Sequence, residues 1–373
     1  MPMAITLERR MPQLHSCTSL CVTTLLVSLV MLLAFPLFTS LTKKSESIIT
    51  NTASLDYNAT EGRKALYFCK SAYCPMENVI EWNCGSACAN ATPNFRVFNV
   101  YDNTSTGNFG YSGIDNDARR IVVVFRGTHN TANWIQDLDF WSIPYPNPSC
   151  GNNCRIHRGF YRAYSSVRDQ LIYDVLSMLE RHPSYTLFIT GHSLGGAMAL
   201  LAAIDFTTWN VSKPEVVDNS VQPSSAAPTP SHLAPVMLYT FGEPRVGNQY
   251  FTNWSTSVLA NEKQFRITHA KDPVPHLPPL SWSYVHVPQE VWYPADDEAV
   301  LLCQDNSSTE DPLCSNSVYA TRVADHLIYF GICTRCKCTA AEMEEIYKYE
   351  LPPETYSVLA LDYVMNRARP TVR

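Results

Sequence analysis

The stretch GHSLGG, residues 191–196, sets a serine between glycines where a short apolar run gives way to small and aliphatic residues. G-x-S-x-G at a strand-to-helix junction is the nucleophile elbow. Glycines beside the serine remove side chains that would strike neighbouring backbone, and the helix N-terminus aims its N–H groups at the reaction centre. The same letters could form a glycine-rich turn with an inert serine. The apolar run before and the helical run after favour Ser193 as a nucleophile. His192, adjacent in sequence, points away from the reacting face of the serine and is not read as its base.

A serine hydroxyl needs a general base, and the base needs an orienting carboxylate. In this elbow class the chain order is serine, acid, histidine, which confines the search to residues after Ser193. The acids are Asp205, Glu243, Asp272, Asp305, Asp311 and Asp325. Asp205 falls about three turns into the elbow helix and points elsewhere. Glu243 precedes a proline and reads as loop shaping. Asp325 reads as a helix cap. Asp272 follows FRITHA, at the C-terminal end of a strand, where α/β sites assemble, and Pro273 and Pro275 stiffen its loop. The histidines are His232, His269, His276, His286 and His326. The first lies in a low-complexity loop, the next two sit too close to Asp272, and His286 lies inside an alternating strand. His326 in VADHLIYFG is selected as base.

An oxyanion needs two donors. One is the Leu194 N–H, directly after the serine. The other is Thr128, after the strand VVVF and the turn at Arg126 and Gly127. Downstream, Trp134, Ile135, Leu138 and Trp141 fall on one helical face, opposite Asn133, Gln136, Asp137 and Asp139. Such a helix can simply pack on the core. Its place beside the oxyanion loop favours a lid that covers the site in water and turns its apolar face to lipid.

Elements that hold these residues are legible in the apolar patterning. FRVFNV (95–100) alternates as a strand, and RRIVVVFRGT (119–128) is continuous, as a strand buried on both faces. Residues 159–183 are periodic as a helix that Pro183 stops. YTLFIT (185–190) is a second buried strand, residues 195–209 form the elbow helix, and strands follow in 235–247 and 263–279. Residues 282–294 read as late, exposed strands. Strands alternating with helices predict an α/β fold with a mainly parallel central sheet.

The chain has 373 residues, enough for one large core. A net charge of −6 and no basic stripe exclude nucleic acid as a partner. Between Arg10 and Lys43 there is no charged side chain, so residues 1–43 read as a cleaved signal peptide or an uncleaved signal-anchor. Residues 44–60 read as a polar leader, 61–373 as the folded domain, and 212–232, rich in Pro and Ser, as a surface insertion. Of 13 cysteines, 11 lie beyond the N-terminal segment in close clusters. Sequons begin at Asn58, Asn90, Asn103, Asn210, Asn253 and Asn306. Both point to secretion and disulfides rather than zinc sites, and the odd count leaves one thiol free, or paired with another molecule, or means the N-terminal boundary differs.

FRGT, NWIQDLDF, HRGFYRAY, TGHSLGGAMALLAAIDF, YTFGEPRVGN, DPVPHLPP and DHLIYFG together resemble the fungal-type triacylglycerol lipases of the class 3 group, with an α/β-hydrolase fold. The resemblance spans roughly residues 64–338. It implies Ser193, Asp272 and His326 as the triad, Thr128 and Leu194 at the oxyanion, and the segment around Trp134 as lid. It also implies bridges Cys84–Cys88 and Cys303–Cys314, and one from Cys69 or Cys74 to the cluster Cys333, Cys336 and Cys338. The implied activity is ester hydrolysis at a lipid–water interface, without metal or organic cofactor. Membrane contact is expected through the N-terminal segment or the lid. Phospholipase A1, soluble esterase or feruloyl esterase chemistry is the rival on the same scaffold. A glycosylated surface binding protein with a dead hydrolase fold is the rival of another class.

Overall fold

The computed structural model describes residues 56–103, 107–129, 135, 139–209, 233–296 and 300–368. The N-terminal signal or anchor, the 212–232 insertion, Asn210, Trp134 and Leu138 lie outside the described residues. Eight strands form the main sheet: β1 (Arg96–Asn103), β2 (Asn108–Asp115), β3 (Arg120–Phe125), β4 (Thr186–His192), β5 (Val236–Phe241), β6 (Lys263–His269), β7 (Glu290–Tyr293) and β8 (Leu301–Leu302). Their order across the sheet is their order in the chain. From β3 to β7 every pairing is parallel. The two strands at the leading edge and β8 at the other pair antiparallel.

The apolar run of β3 explains the layering. Ile121, Val123 and Phe125 pack to one face, and Val122 and Val124 to the other, because successive side chains of a strand alternate. The first face carries α2 (Arg158–Arg181) and α3 (Leu194–Thr208); the second carries α1 (Ala59–Ser71). Then come α4 (Gln249–Val258), α5 (Val323–Leu327), α6 (Ala340–Tyr347) and α7 (Pro353–Ala368). Short strands at Ser142–Pro144, Arg155–His157, Gly247–Asn248 and Tyr284–Val285 make a second, four-stranded sheet. Among the described residues no helix is long and apolar enough to cross a membrane.

Three expectations change. The polar leader ends before residue 60: Asn58 caps α1 by accepting from the N–H groups of Thr60 and Glu61. Tyr57 packs edge-on against Phe265 and bonds the Tyr293 hydroxyl at 3.0 Å. The strands in 282–294 are buried rather than exposed, because β7 pairs with β6 on one side and β8 on the other. Asp325 caps no helix. It sits within α5, where its carboxylate accepts the Lys271 N–H at 3.0 Å.

Helix α7 is tied in by charge. Arg245, fully buried, donates to both carboxylate oxygens of Glu310 at 2.7 Å and to both of Asp362 at 3.0 and 3.1 Å. It also donates to the carbonyls of His276 and Pro278.

Five disulfides are formed: Cys74–Cys336, Cys84–Cys88, Cys150–Cys154, Cys303–Cys314 and Cys333–Cys338. Of the pair implied for the bridge to the C-terminal cluster, Cys74 makes it and Cys69 stays free and buried. Burial pushes the Cys69 thiol up to about 12. Of the sequon asparagines, Asn58, Asn90, Asn253 and Asn306 are exposed.

Candidate active site

The elbow is built by close approach. A Cβ on Gly191 would lie 2.0 Å from the Gly195 carbonyl oxygen, and one on Gly195 would lie 2.3 Å from the Phe125 carbonyl oxygen. Ser193 itself holds φ 61° and ψ −131°, a conformation that costs an L-residue about 1–3 kcal/mol. Its N–H donates to the Phe241 carbonyl at 2.8 Å, which fastens the turn to the end of β5. Leu194 opens α3, so its N–H has no carbonyl a turn earlier to bond. Thr128 stands three residues past the end of β3 and is half-buried.

Asp272 and His326 meet although 54 residues separate them. The His326 Nδ1 lies 2.8 Å from Asp272 Oδ2. Tyr329 donates its hydroxyl to the same oxygen at 2.6 Å, and the Val274 N–H donates to Oδ1 at 2.8 Å. Burial opposes charge on Asp272, but the imidazole, the phenol and the amide together hold its carboxyl below the usual range. On the far side, His326 Nε2 has no hydrogen-bond partner among the described residues, and neither has Ser193 Oγ. Both atoms are buried.

A second hydrogen-bonded chain braces this pair. The Gly127 N–H donates to the Tyr73 hydroxyl at 3.1 Å. That hydroxyl bonds His192 Nδ1 at 2.7 Å, and His192 Nε2 bonds the His326 carbonyl at 2.8 Å. Since a carbonyl only accepts, Nε2 carries the proton and the tyrosine donates to Nδ1. Burial, then the neighbouring His326, pushes the His192 imidazole down to about 3, so it is neutral. His192 therefore holds the backbone of His326, as expected of a residue that is not itself the base.

The sequence did not single out Tyr73, Tyr329 or Gly242. Gly242, at φ +54°, lies so near the pair that a Cβ there would fall 2.6 Å from His326 Nδ1 and 2.8 Å from Asp272 Oδ2. A glycine directly after a strand in YTFGEP was the available signal. No local signal marks either tyrosine.

The remaining candidates have other partners. Asp205 accepts from Tyr164 and Arg168. His269 bonds the Asp325 carbonyl, His286 bonds the Pro275 carbonyl, and His276 pairs with Asp362 at 3.5 Å. Asp305 pairs with Arg266, and Asp311 accepts from the Gln304 and Leu313 N–H groups. Glu243 is fully buried, and burial raises its carboxyl to about 7. Glu290, Cys303 and Cys314 converge closely enough to suggest metal ligands, but the two cysteines are joined to each other.

Of the expected lid face, Ile135 is buried against Val274, Leu277 and Val323, with Leu351 and Leu359 completing the cluster. Trp141 differs. It lies outside any helix, just before the strand Ser142–Pro144, and is 62% exposed, its ring edge-on to Trp282. The strand pairing that starts at Ser142 takes the chain out of helical register there.

Residues 122–282 match the family model described as lipase (class 3). The chain is 38% identical to the lipase of Rhizomucor miehei over 218 residues, which are 58% of this chain and 53% of that protein. It is 31% identical to the secreted mono- and diacylglycerol lipase A of Penicillium camembertii over 250 residues, 67% of this chain and 68% of that protein. The chain thus spans between about half and two thirds of the length of these relatives. The solved structure of the Rhizomucor miehei triacylglyceride lipase superposes with a TM-score of 0.63 at 30% identity, covering 77% of this chain and 98% of that one. The sheet and its flanking helices are those of an α/β-hydrolase fold.

Proposed function

The chain belongs to the class 3 lipase family, and from that premise we propose that it hydrolyses carboxylic esters of acylglycerols by a Ser193–His326–Asp272 acyl-enzyme mechanism at a lipid–water interface. His326 Nε2 takes the Ser193 proton as Oγ attacks the acyl carbonyl. The Leu194 and Thr128 donors hold the oxyanion. The tetrahedral species collapses, the C–O bond to the alcohol breaks, and His326 gives its proton to the leaving oxygen. Water, deprotonated by His326, then attacks the acyl-serine and releases the fatty acid. Asp272 keeps the imidazole in the tautomer that leaves Nε2 free to accept, and stabilises the imidazolium.

One observation carries this reading: Ser193 Oγ and His326 Nε2 are both buried and unpartnered, while His326 Nδ1 is bound to Asp272 at 2.8 Å. Buried polar atoms are nearly always paired. Other buried atoms also lack a partner among the described residues, but only here do they fall on a serine and a histidine in elbow order, the two atoms the chemistry needs free.

The segment carrying Trp134, Ile135 and Leu138 acts as a lid. The burial of Ile135 beside Val274 and Val323, neighbours of Asp272 and His326, supports this. Secretion fits the five disulfides and four exposed sequon asparagines, and the Penicillium relative is named as secreted.

The test sets emulsified triolein, phosphatidylcholine and a short soluble ester side by side, with fluorophosphonate labelling as a readout of the serine. The expected result is labelling that Ser193→Ala abolishes, and a rate on triolein that jumps once emulsion droplets form. A folded wild-type chain that takes no label overturns the catalytic reading. A triolein rate with no such jump overturns the interfacial one.

A further inference from the structure

A cavity of about 470 Å³ opens beside the oxyanion loop. Thr128 and His129 form one wall, and Leu327, the residue after His326, lines it too. The opposite wall comes from the C-terminal segment: Arg335, Cys336, Lys337, Glu342 and Tyr349. The cavity therefore adjoins the residues proposed for the oxyanion and for the base. Its lining is mixed: Tyr73, Pro75, Leu327 and Tyr349 are apolar or aromatic, while Arg335, Lys337 and Glu342 place charge on the wall, and a hydrocarbon chain lying against those charges would cost them their water.

The charges in it have a sign. Neither Arg335 nor Lys337 makes an ion pair among the described residues; Arg335 reaches only the Tyr349 hydroxyl, at 3.4 Å. The one acid in the lining, Glu342, accepts from the Thr339 N–H at 2.7 Å and the Thr339 hydroxyl at 2.9 Å, closing a capping box; those bonds, then the nearby charges of Arg335 and Lys70, hold its carboxyl down, so it offsets part of the positive charge. Behind the wall Lys70 adds a third cation, its ammonium donating to the carbonyls of Cys333 and Arg335. The His129 imidazole responds: burial, then the cations Arg126 and Arg335, lower its pKa, leaving it neutral at pH 7.

The wall is also fixed in advance. Cys336 is bound to Cys74 on one side, and the bridge Cys333–Cys338 closes the loop that carries both cations. Holding donors in place before binding reduces the ordering that binding must impose.

We propose that this cavity is a subsite for a phosphoryl group carried by the substrate, with Arg335 and Lys337 as its donors and Thr128 at its border with the ester. Arginine and lysine both bind phosphate oxygens by charge-assisted hydrogen bonds. In a glycerolipid the phosphate sits on the carbon next to an esterified one. A scissile carbonyl at Thr128 then leaves the phosphate in the adjoining space. The substrates named are diacyl glycerophospholipids, beside neutral acylglycerols. The inference rests on the hydrolase reading above.

The experiment measures kcat/KM for dioleoyl phosphatidate and for dioleoylglycerol, both presented in the same anionic mixed micelles made with a non-hydrolysable diether phosphatidate. Wild type is compared with Arg335→Gln/Lys337→Gln, and with Lys337→Gln alone, whose exposed side chain carries no fold-critical contact. The double variant is expected to lower the phosphatidate-to-diacylglycerol ratio about tenfold, and the single variant to lower it partway. An unchanged ratio overturns the subsite. So does an equal fall on both lipids, which would mark general attraction to a charged surface. Inorganic phosphate that slows wild type but not the double variant on dioleoylglycerol, with no change in the ratio, would assign the site to free phosphate and also overturn the proposal. Hydrolysis of dioleoylglycerol alone removes the subsite and leaves the lipase reading standing; hydrolysis of neither removes both.

Discussion

Among the buried ionic clusters of the described residues, those around Arg245 and His326 are finished to different degrees. Around Arg245 each guanidinium nitrogen has a partner, and Glu310 and Asp362 also receive the His286 and Leu280 N–H groups. Around His326 the bonding is as tight on one side, through Asp272 and Tyr329, but stops short on the other, at Nε2 and Ser193 Oγ. The first joins loops to α7, and its guanidinium has no donor left to offer, although His276 Nε2, His286 Nδ1 and Asn316 Oδ1 at its edge have no partner among the described residues. The second withholds two atoms from the fold. What separates the two is which atoms are left over: around Arg245 the guanidinium is fully bonded, while around His326 the leftover atoms are a serine hydroxyl and an imidazole nitrogen in elbow order, able to react with something from outside.

The comparison can be broken most sharply at the serine. Ser193→Ala should lower kcat on a soluble ester by about four orders of magnitude or more with the thermal midpoint retained; a loss of fold instead would make the elbow structural. In the Arg245 cluster the cost should appear as stability. Arg245→Met leaves two carboxylates buried without their cation and should cost about 3–5 kcal/mol in urea unfolding. A shift under 1 kcal/mol would show that the cluster is less buried in solution than its contacts indicate.

His192 sharpens the contrast through pH. Its folded pKa, about 3, lies below the ordinary 6.5, so between those values the unfolded chain binds the extra proton. Its contribution is thus complete above pH 6.5 and lost as pH falls. The stability difference between wild type and His192→Gln should shrink by about 2 kcal/mol from pH 7 to pH 5, at about 1.4 kcal/mol per unit, as read from urea curves at both pH values. A difference constant with pH would refute a neutral, buried His192. The smallest effect belongs to Tyr329→Phe. Removing one donor from Asp272 should lower kcat/KM about fivefold to tenfold and move the acidic limb of the pH–rate profile upward. An unmoved limb would mean that the phenol does not tune the carboxylate.

The triad candidates were legible because strand ends, prolines and chain order narrow the choice to single residues. Tyr73 and Tyr329 were not: each acts through a hydroxyl delivered across the fold, and a lone tyrosine beside an apolar run looks like core. β2 escaped reading because NFGYSGID has glycines where β-branched residues are usual. A Cβ at Gly113 would lie 2.3 Å from the Arg96 carbonyl oxygen, so close strand approach imposes that choice. Helix α7 escaped because its buried face includes Asp362 and Asn366, which breaks the apolar period that reveals a helix. Trp141 was placed on the lid face because the sequence gives no sign that strand pairing begins at Ser142.

The Cys74–Cys336 bridge joins positions 262 residues apart. Between them lie the elbow, Asp272, His326 and the Pro/Ser-rich 212–232 segment. A protease that cuts once in that segment yields two pieces that remain covalently one molecule, each holding part of the triad. On a denaturing gel the nicked protein should migrate as a single band until a reductant is added, and as two fragments afterwards.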